Sequence, residues 1–193
     1  MKLDYIKITN RNGGIMHGGN QSFFSKNIKR SGCGMIAACD MVLYKQNRKT
    51  LGIDEYKQFV AEKSVFFYRF HINLIGVTAF RIVRFLRKHS FSFRFVPSRK
   101  LNGERFEKLV KASIENGNPV IVRVGLNGNK LPYNVFHSDS GKYSHGTLSW
   151  HYITVTGFEN DRFFYSSWGG TGEISITDLR DHLGFMGGII CSQ

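Results

Sequence analysis

The longest run of buried character follows Cys33. Ile36, Ala38, Cys39, Met41, Val42 and Leu43 spread apolar side chains over most of a helical surface, which predicts a buried helix. A second helix fits Asp54–Glu62, with Asp54 as its N-cap. A third fits Leu74–His89: Ala79, Ile82, Val83 and Leu86 form an apolar stripe, and Arg81, Arg84 and Lys88 share another face. Phe91, Phe93 and Phe95 alternate with Ser92 and Arg94, the period of a half-buried strand over Phe91–Val96. Asn102 caps a helix running to Glu115, which Asn116-Gly117 ends. Pro119–Val124 is a β-branched strand, and Gly125–Tyr143 reads as a long surface loop. Trp150–Phe158 and Phe163–Ser167 form a hairpin turning at Glu159-Asn160-Asp161. Strands at Gly172–Ile176 and Gly187–Cys191 come next, with a short helix near Asp178–Leu183. Helices come first and antiparallel sheet second, an α+β layout. No repeat or linker divides the chain, so one domain over 1–193 is expected, with the polar, Gly-rich residues 1–30 as a loop-rich N-terminal arm that opens on a short strand.

Composition narrows the class. The apolar fraction is 41% and the aromatic fraction 14%, with 17 Phe, which is globular and not disordered. Three cysteines, Cys33, Cys39 and Cys191, make no disulfide framework, and no Cys-x-x-Cys pair suggests a metal. No metal and no cofactor is therefore expected. The N-terminus lacks the apolar run of a signal peptide and no stretch has the length of a membrane span, so a cytoplasmic protein is expected, with export by a signal-free route left open. The net charge of +13 favours an acidic partner: nucleic acid, anionic lipid or acidic peptide. For nucleic acid, Arg81, Arg84, Arg87 and Lys88 would be the contact helix, but no zinc spacing or RNA-binding aromatic signature accompanies them, which disfavours that class.

Three local features carry candidate chemistry. Cys33, between Gly32 and Gly34, opens the apolar helix, where unpaired N–H groups and the helix dipole favour a thiolate and a depressed pKa. Gly34 gives a substrate carbonyl room to approach. Taken alone, such a cysteine is as often a buried structural residue; Cys39 and Cys191 are read that way. His151 opens a strand, from which it projects at a sheet end as a proton acceptor. The return strand of the hairpin brings Ser166 back toward His151, fifteen residues on, to orient the imidazole, with Trp168 shielding that bond from water.

Together these features resemble the papain-like cysteine peptidases, most closely the bacteriocin-processing (double-glycine) peptidases and their stand-alone relatives. The resemblance rests on Cys33-Gly34 followed by Ala37, Ala38 and Leu43; on Gly117-Asn118-Pro119-Val120-Ile121-Val122; on His151 through Gly157-Phe158; and on Ser166-Ser167-Trp168-Gly169, in order over roughly residues 27 to 190. It implies a papain-like cysteine hydrolase fold, with N-terminal helices packed on a C-terminal antiparallel sheet and the nucleophile on the first buried helix. It implies Cys33 as nucleophile, His151 as base, Ser166 in the third triad position, and Asn27, six residues before the cysteine, as the oxyanion-hole amide, with Gln21 as the fallback. Gly34, Trp150 and Trp168 are the expected substrate-binding residues. The substrate implied is a peptide or other acyl-bearing molecule, acidic if the net charge is a recognition device. An acyltransferase of the same fold, using an amine in place of water, and a catalytically inactive homologue that binds are the alternatives. Because the resembled peptidases cut after Gly-Gly, Gly14 and Gly19 are also marked as self-processing positions, against the simpler reading of a flexible glycine loop.

Overall fold

The structure, a computed structural model, describes residues 1–68, 77–124, 130–183 and 187–192. The chain runs β1 (Lys7–Thr9), β2 (Ile15–His17), a 3-10 turn (Gln21–Phe23), α1 (Lys26–Ser31), α2 (Cys33–Lys45), β3 (Thr50–Gly52), α3 (Ile53–Tyr68), α4 (Ala79–Lys88), β4 (Phe93–Pro97), α5 (Gly103–Glu115), β5 (Val120–Val124), β6 (Leu131–His137), β7 (Lys142–Leu148), β8 (His151–Glu159), β9 (Arg162–Ser167), β10 (Gly170–Ser175), α6 (Ile176–Asp181) and β11 (Gly188–Ser192). The architecture is α+β. Among the described residues the strands form an antiparallel eight-stranded sheet in the order β4-β11-β5-β8-β9-β10-β6-β7, and a small sheet in the order β2-β1-β3.

Alternation along the central strands builds two cores. On one face Ile121, Tyr152 and Ile190 pack with α2, α3 and α4; on the other, Val120, Val122, Val124, Ile153, Val155 and Ile189 pack with α5 and α6. Helices thus cover both faces of the sheet. The helix that starts at Cys33 is the most enclosed, with all ten residues Gly34–Leu43 buried, as its all-round apolar character predicts.

Side-chain caps start α4, α5 and α6. Asn102 Oδ1 accepts from the Arg105 N–H at 2.8 Å, and Gly117 follows α5 with φ +72°. Thr78 Oγ1 accepts from the Arg81 N–H at 3.3 Å and starts α4 five residues after the expected Leu74, which lies outside the described residues. Asp54 is inside α3, not its cap, and binds Arg11 at 2.9 Å. On α4 the expected basic face is partly used: Arg81 donates to the Phe67 carbonyl at 2.7 Å, while Arg84, Arg87 and Lys88 are exposed. No described helix is long and apolar enough to cross a membrane.

Two expectations are corrected. Residues 131–143 of the supposed surface loop are not a loop but most of the β6–β7 hairpin; residues 125–129 lie outside the described residues. Leu131, Tyr133 and Val135 carry the strand period, and the polar, exposed β7 beside them hides it. Nor are residues 1–30 an arm. β1 pairs antiparallel with β2 and parallel with β3, and Tyr5, Ile6, Ile8, Met16 and Ile28 are core residues. Gly18 and Gly19 are buried, with Gly18 at φ +76°, so Gly19 is no flexible loop that a protease reaches.

Gly19 packs so closely that an added Cβ would overlap the Tyr56 hydroxyl. Gly19→Ala should destabilise the protein by about 2 kcal/mol or more through overpacking. Gly52→Ala, where a Cβ meets nothing within 4 Å, should change stability little. Urea unfolding of the two variants side by side measures the difference.

Candidate active site

The site assembles where the start of α2 meets the start of β8. α1 and α2 are nearly continuous and break at Gly32, whose N–H donates to the Ile28 carbonyl at 2.7 Å. A Cβ at residue 32 would crowd that same carbonyl, so glycine permits the break that frees the first turn of α2. Cys33 is half-buried, while Cys39 and Cys191 are buried. Cys33 and His151 line one small cavity, together with Gln21, Asp40, Tyr152, Thr154, Ser166, Ser167 and Trp168.

The partner of the histidine is not the one expected. His151 Nε2 lies 2.8 Å from Ser167 Oγ, whereas Ser166 Oγ donates to the His17 carbonyl at 2.7 Å. The reason is a β-bulge. From the turn, Glu159, Phe158 and Gly157 pair with Arg162, Phe163 and Phe164, a register that would carry Ser166 to the His151 side of the hairpin. The bulge between Val155 and Gly157 shifts it, so that Val155 pairs with Tyr165 and Thr154 with Ser166. One extra residue reverses which face each side chain takes, and Ser167 inherits the place beside the imidazole.

Trp168 and Gly169, both at positive φ (49° and 78°), form the two-residue turn joining β9 to β10. That turn lays the Trp168 ring over His151, with centroids 4.5 Å apart, and sets its edge against Tyr133. Trp168 therefore covers the His151–Ser167 bond. The segment after β2 fixes the turn: Asn20 Nδ2 donates to the Trp168 carbonyl at 2.8 Å, and the His17 N–H to the Gly169 carbonyl at 2.9 Å.

Other expected site residues are placed differently. Asn27 is exposed on α1 and does not line the cavity; its carbonyl accepts from Ser31 Oγ at 2.9 Å. Gln21, the fallback amide, does line it. Gln21 Nε2 donates to the Lys29 carbonyl at 2.8 Å, and its buried Oε1 has no hydrogen-bond partner among the described residues. The α1 turn, inserted between this amide and Cys33, lengthens the spacing that Asn27 was expected to satisfy. Gly34 is buried, and an added Cβ would stand 2.9 Å from the Tyr152 ring and 3.0 Å from Ile82 Cδ1. It serves packing of α2 against β8 and is closed to a substrate. Trp150 is 50% exposed, at φ +53°, and its ring takes the Arg123 guanidinium at 5.9 Å.

Asp40 and Ser167 were not singled out in the sequence. Asp40 lies seven residues along α2, two turns from Cys33, as a lone acid among apolar neighbours; that placement was its signal. Its carboxylate accepts from Tyr56 Oη at 2.7 Å and from the Gly19 N–H at 2.8 Å.

Burial sets the electrostatics. It pushes the Cys33 thiol up, against the backbone N–H groups of Tyr152, Gly34 and Cys33 and the Arg123 charge, which pull it down; the depressed value expected of a helix start is not reached. Burial lowers His151 from 6.5 to about 3 and raises Asp40 from 3.8 to about 6. Thiol and imidazole therefore rest as a neutral pair at neutral pH. Among the described residues, no group of three or more His, Cys, Asp or Glu is placed to hold a metal ion.

No protein-family model matches the chain, and no curated protein matches it. Among solved structures it is similar to a Bacillus anthracis protein designated a C39-like peptidase, with a TM-score of 0.39 and 14% identity. The alignment spans 61% of this chain and 60% of that one. What the molecule itself defines is an α+β protein with a cysteine and a histidine lining one small cavity.

A neutral buried His151 has a thermodynamic signature. Its folded pKa lies below the unfolded value, so the unfolded chain binds the extra proton and stability falls as pH drops from 6.5 toward 3. The slope approaches about 1.4 kcal/mol per pH unit. Asp40 contributes the opposite sign between 3.8 and about 6, because its folded pKa is raised. Unfolding measured against a His151→Gln variant cancels Asp40 and should show that slope. An NMR titration should find the His151 ring unprotonated at pH 5.

Proposed function

We propose that the chain is a papain-like cysteine hydrolase that cleaves a peptide or amide bond through an acyl-enzyme on Cys33. The observation that carries this reading is the cavity shared by Cys33 and His151, with the imidazole Nε2 2.8 Å from Ser167 Oγ under Trp168. With Nε2–H donating to Ser167 Oγ, Nδ1 is the ring atom that accepts a proton. As the Cys33 sulfur bonds to the substrate carbonyl carbon, its proton passes to Nδ1 of His151. The Cys33 N–H and the second N–H of the Gln21 amide are the donors for the oxyanion. His151 then returns the proton to the leaving nitrogen as the carbon–nitrogen bond breaks. Water, deprotonated by the same nitrogen, releases the acyl group and regenerates the thiol.

This is general-base activation from a neutral pair, not attack by a preformed thiolate–imidazolium. Ser167 orients the ring, but a hydroxyl gives the imidazolium formed during attack none of the charge stabilisation that a carboxylate gives. The same observation, with the lowered His151, favours a second reading: a homologue of this fold that binds an acyl-bearing or peptide ligand without turning it over.

Iodoacetamide at neutral pH, followed by peptide mapping, should label Cys33 ahead of Cys39 and Cys191. Equal labelling of the three thiols in the folded protein would sink the nucleophile assignment. On a peptide, isopeptide or amide substrate that the protein turns over, Cys33→Ala should abolish hydrolysis, and Ser167→Ala should lower kcat about tenfold by releasing the imidazole. Ser166→Ala should stay within about threefold, since that hydroxyl faces His17 and not the base. Selective labelling without turnover of any amide would decide for the binding reading, and transfer to an added amine for an acyltransferase.

A further inference from the structure

Arg123 is a charged residue inside the β-branched run of β5, and it is 8% exposed. A guanidinium taken out of water loses its hydration, and a fold that keeps one buried holds it against compensating groups. Among the described residues no carboxylate is ion-paired with it. Its compensation is aromatic. The guanidinium carbon lies 5.6 Å from the Tyr152 ring centroid and 5.9 Å from that of Trp150.

The placement of that charge is specific. Arg123 stands opposite Tyr152 in the β5–β8 register, on the sheet face that carries Ile121 and packs against α2. Tyr152 is also the residue that covers the nucleophile's turn: its ring sits against Gly34, and its backbone N–H is one of the donors to the Cys33 sulfur. Tyr152 thus has the guanidinium beside its ring and the nucleophile's turn against it. The exposed Trp150, in a left-handed backbone conformation unusual for a large side chain, closes over the guanidinium from the solvent side.

We infer that Arg123 is a positioning residue whose buried charge stabilises the Cys33 thiolate, in place of the charge that a carboxylate-supported imidazolium would supply. The inference rests on the reading of Cys33 as nucleophile. Among the described residues, the other titratable groups near the thiol are Tyr68 at the end of α3, His151 and Tyr152 on β8, and Asp40 along α2. Burial pushes Tyr68 and Tyr152 up and His151 down, which leaves all three uncharged at neutral pH, and Asp40 carries the wrong sign. The cations of α1, Lys26, Lys29 and Arg30, are exposed to screening solvent; on α4, Arg84 is exposed and Arg81 is bound to the Phe67 carbonyl. Among the described residues Arg123 is the buried cation, on the sheet face that packs against α2, and its charge adds to the backbone N–H groups in lowering the thiol.

The test is the pH dependence of Cys33 alkylation by iodoacetamide, read by mass spectrometry on the full chain. It reports thiol ionisation whether or not any substrate is turned over. Arg123→Met keeps the aliphatic stem and removes the charge. It should slow Cys33 alkylation at pH 7 about tenfold, moving the profile up by about one pH unit. Arg123→Lys should restore the rate to within about threefold, which a stacking role alone would not do, because the planar guanidinium is lost in both variants. Where Arg123→Met fails to fold by circular dichroism, Trp150→Leu serves instead; by opening the charge to solvent it should move the profile in the same direction by a smaller amount. An unchanged profile in a folded Arg123→Met or Trp150→Leu protein, or a lysine variant as slow as the methionine one, overturns the inference. Cys33 alkylating no faster than Cys39 and Cys191 in the unsubstituted protein would overturn the nucleophile reading itself, a separate outcome.

Discussion

The buried carboxylate of Asp40 ties together the parts from which the site is made. It sits on α2, accepts the Tyr56 hydroxyl from α3, and accepts the Gly19 N–H from the segment behind β2. A charged group in so dry a place is retained only with its lone pairs occupied, and Asp40 meets that condition with one donor on each oxygen. With Gly19 anchored in this way, the next two residues of the chain fall where the site needs them. Asn20 holds the Trp168 carbonyl, and Gln21 enters the cavity beside Cys33. Glycine is required at residue 19 because the Tyr56 hydroxyl occupies the space a side chain would fill. The polar N-terminal region, unremarkable by composition, is in this sense a structural part of the end of the molecule that holds the cavity.

The hairpin of β8 and β9 contributes the other half through a single irregularity. A regular ladder would have presented Ser166 to the imidazole; the bulge at Thr156 presents Ser167 and turns Ser166 toward His17. Both serines are then used: one orients the imidazole, and the other fastens the N-terminal segment to the sheet. The left-handed turn at Trp168-Gly169 completes the arrangement by placing an aromatic lid on the bond that Ser167 makes. Burial under that lid is what lowers His151 so far, and the same dryness raises the Cys33 thiol. The site is thus tuned toward neutrality. Among the described residues its buried cation, Arg123, is set into the sheet beside Tyr152 and not on the histidine.

Periodicity along single elements was legible in the sequence because it depends on residues a few positions apart. The all-apolar surface of α2, the Asn102 cap of α5, the strand after Pro119 and the hairpin turning at Asn160 all arise from local chemistry, and so does the placing of Cys33 at a helix start. The half-polar β6–β7 hairpin escaped because its outer strand buries little, leaving only Leu131, Tyr133 and Val135 to signal it. A short strand near the N-terminus was legible, but β2 and the pairing of β1 with β3, more than forty residues away, were not, because pairing joins residues distant in the chain.

Cys33 and His151, as the types and spacings that point to thiol chemistry, were determined by the sequence alone. Which side chains stand beside them was decided by tertiary structure. The identity of the imidazole's partner turned on one inserted residue in a ladder, and register is a property of two strands, not of either one. The amide in the cavity is Gln21 and not Asn27, because α1 intervenes and leaves Asn27 on its exposed surface. The protonation of Cys33, His151 and Asp40 depends on how much water the assembled core excludes, and no local pattern carries that quantity.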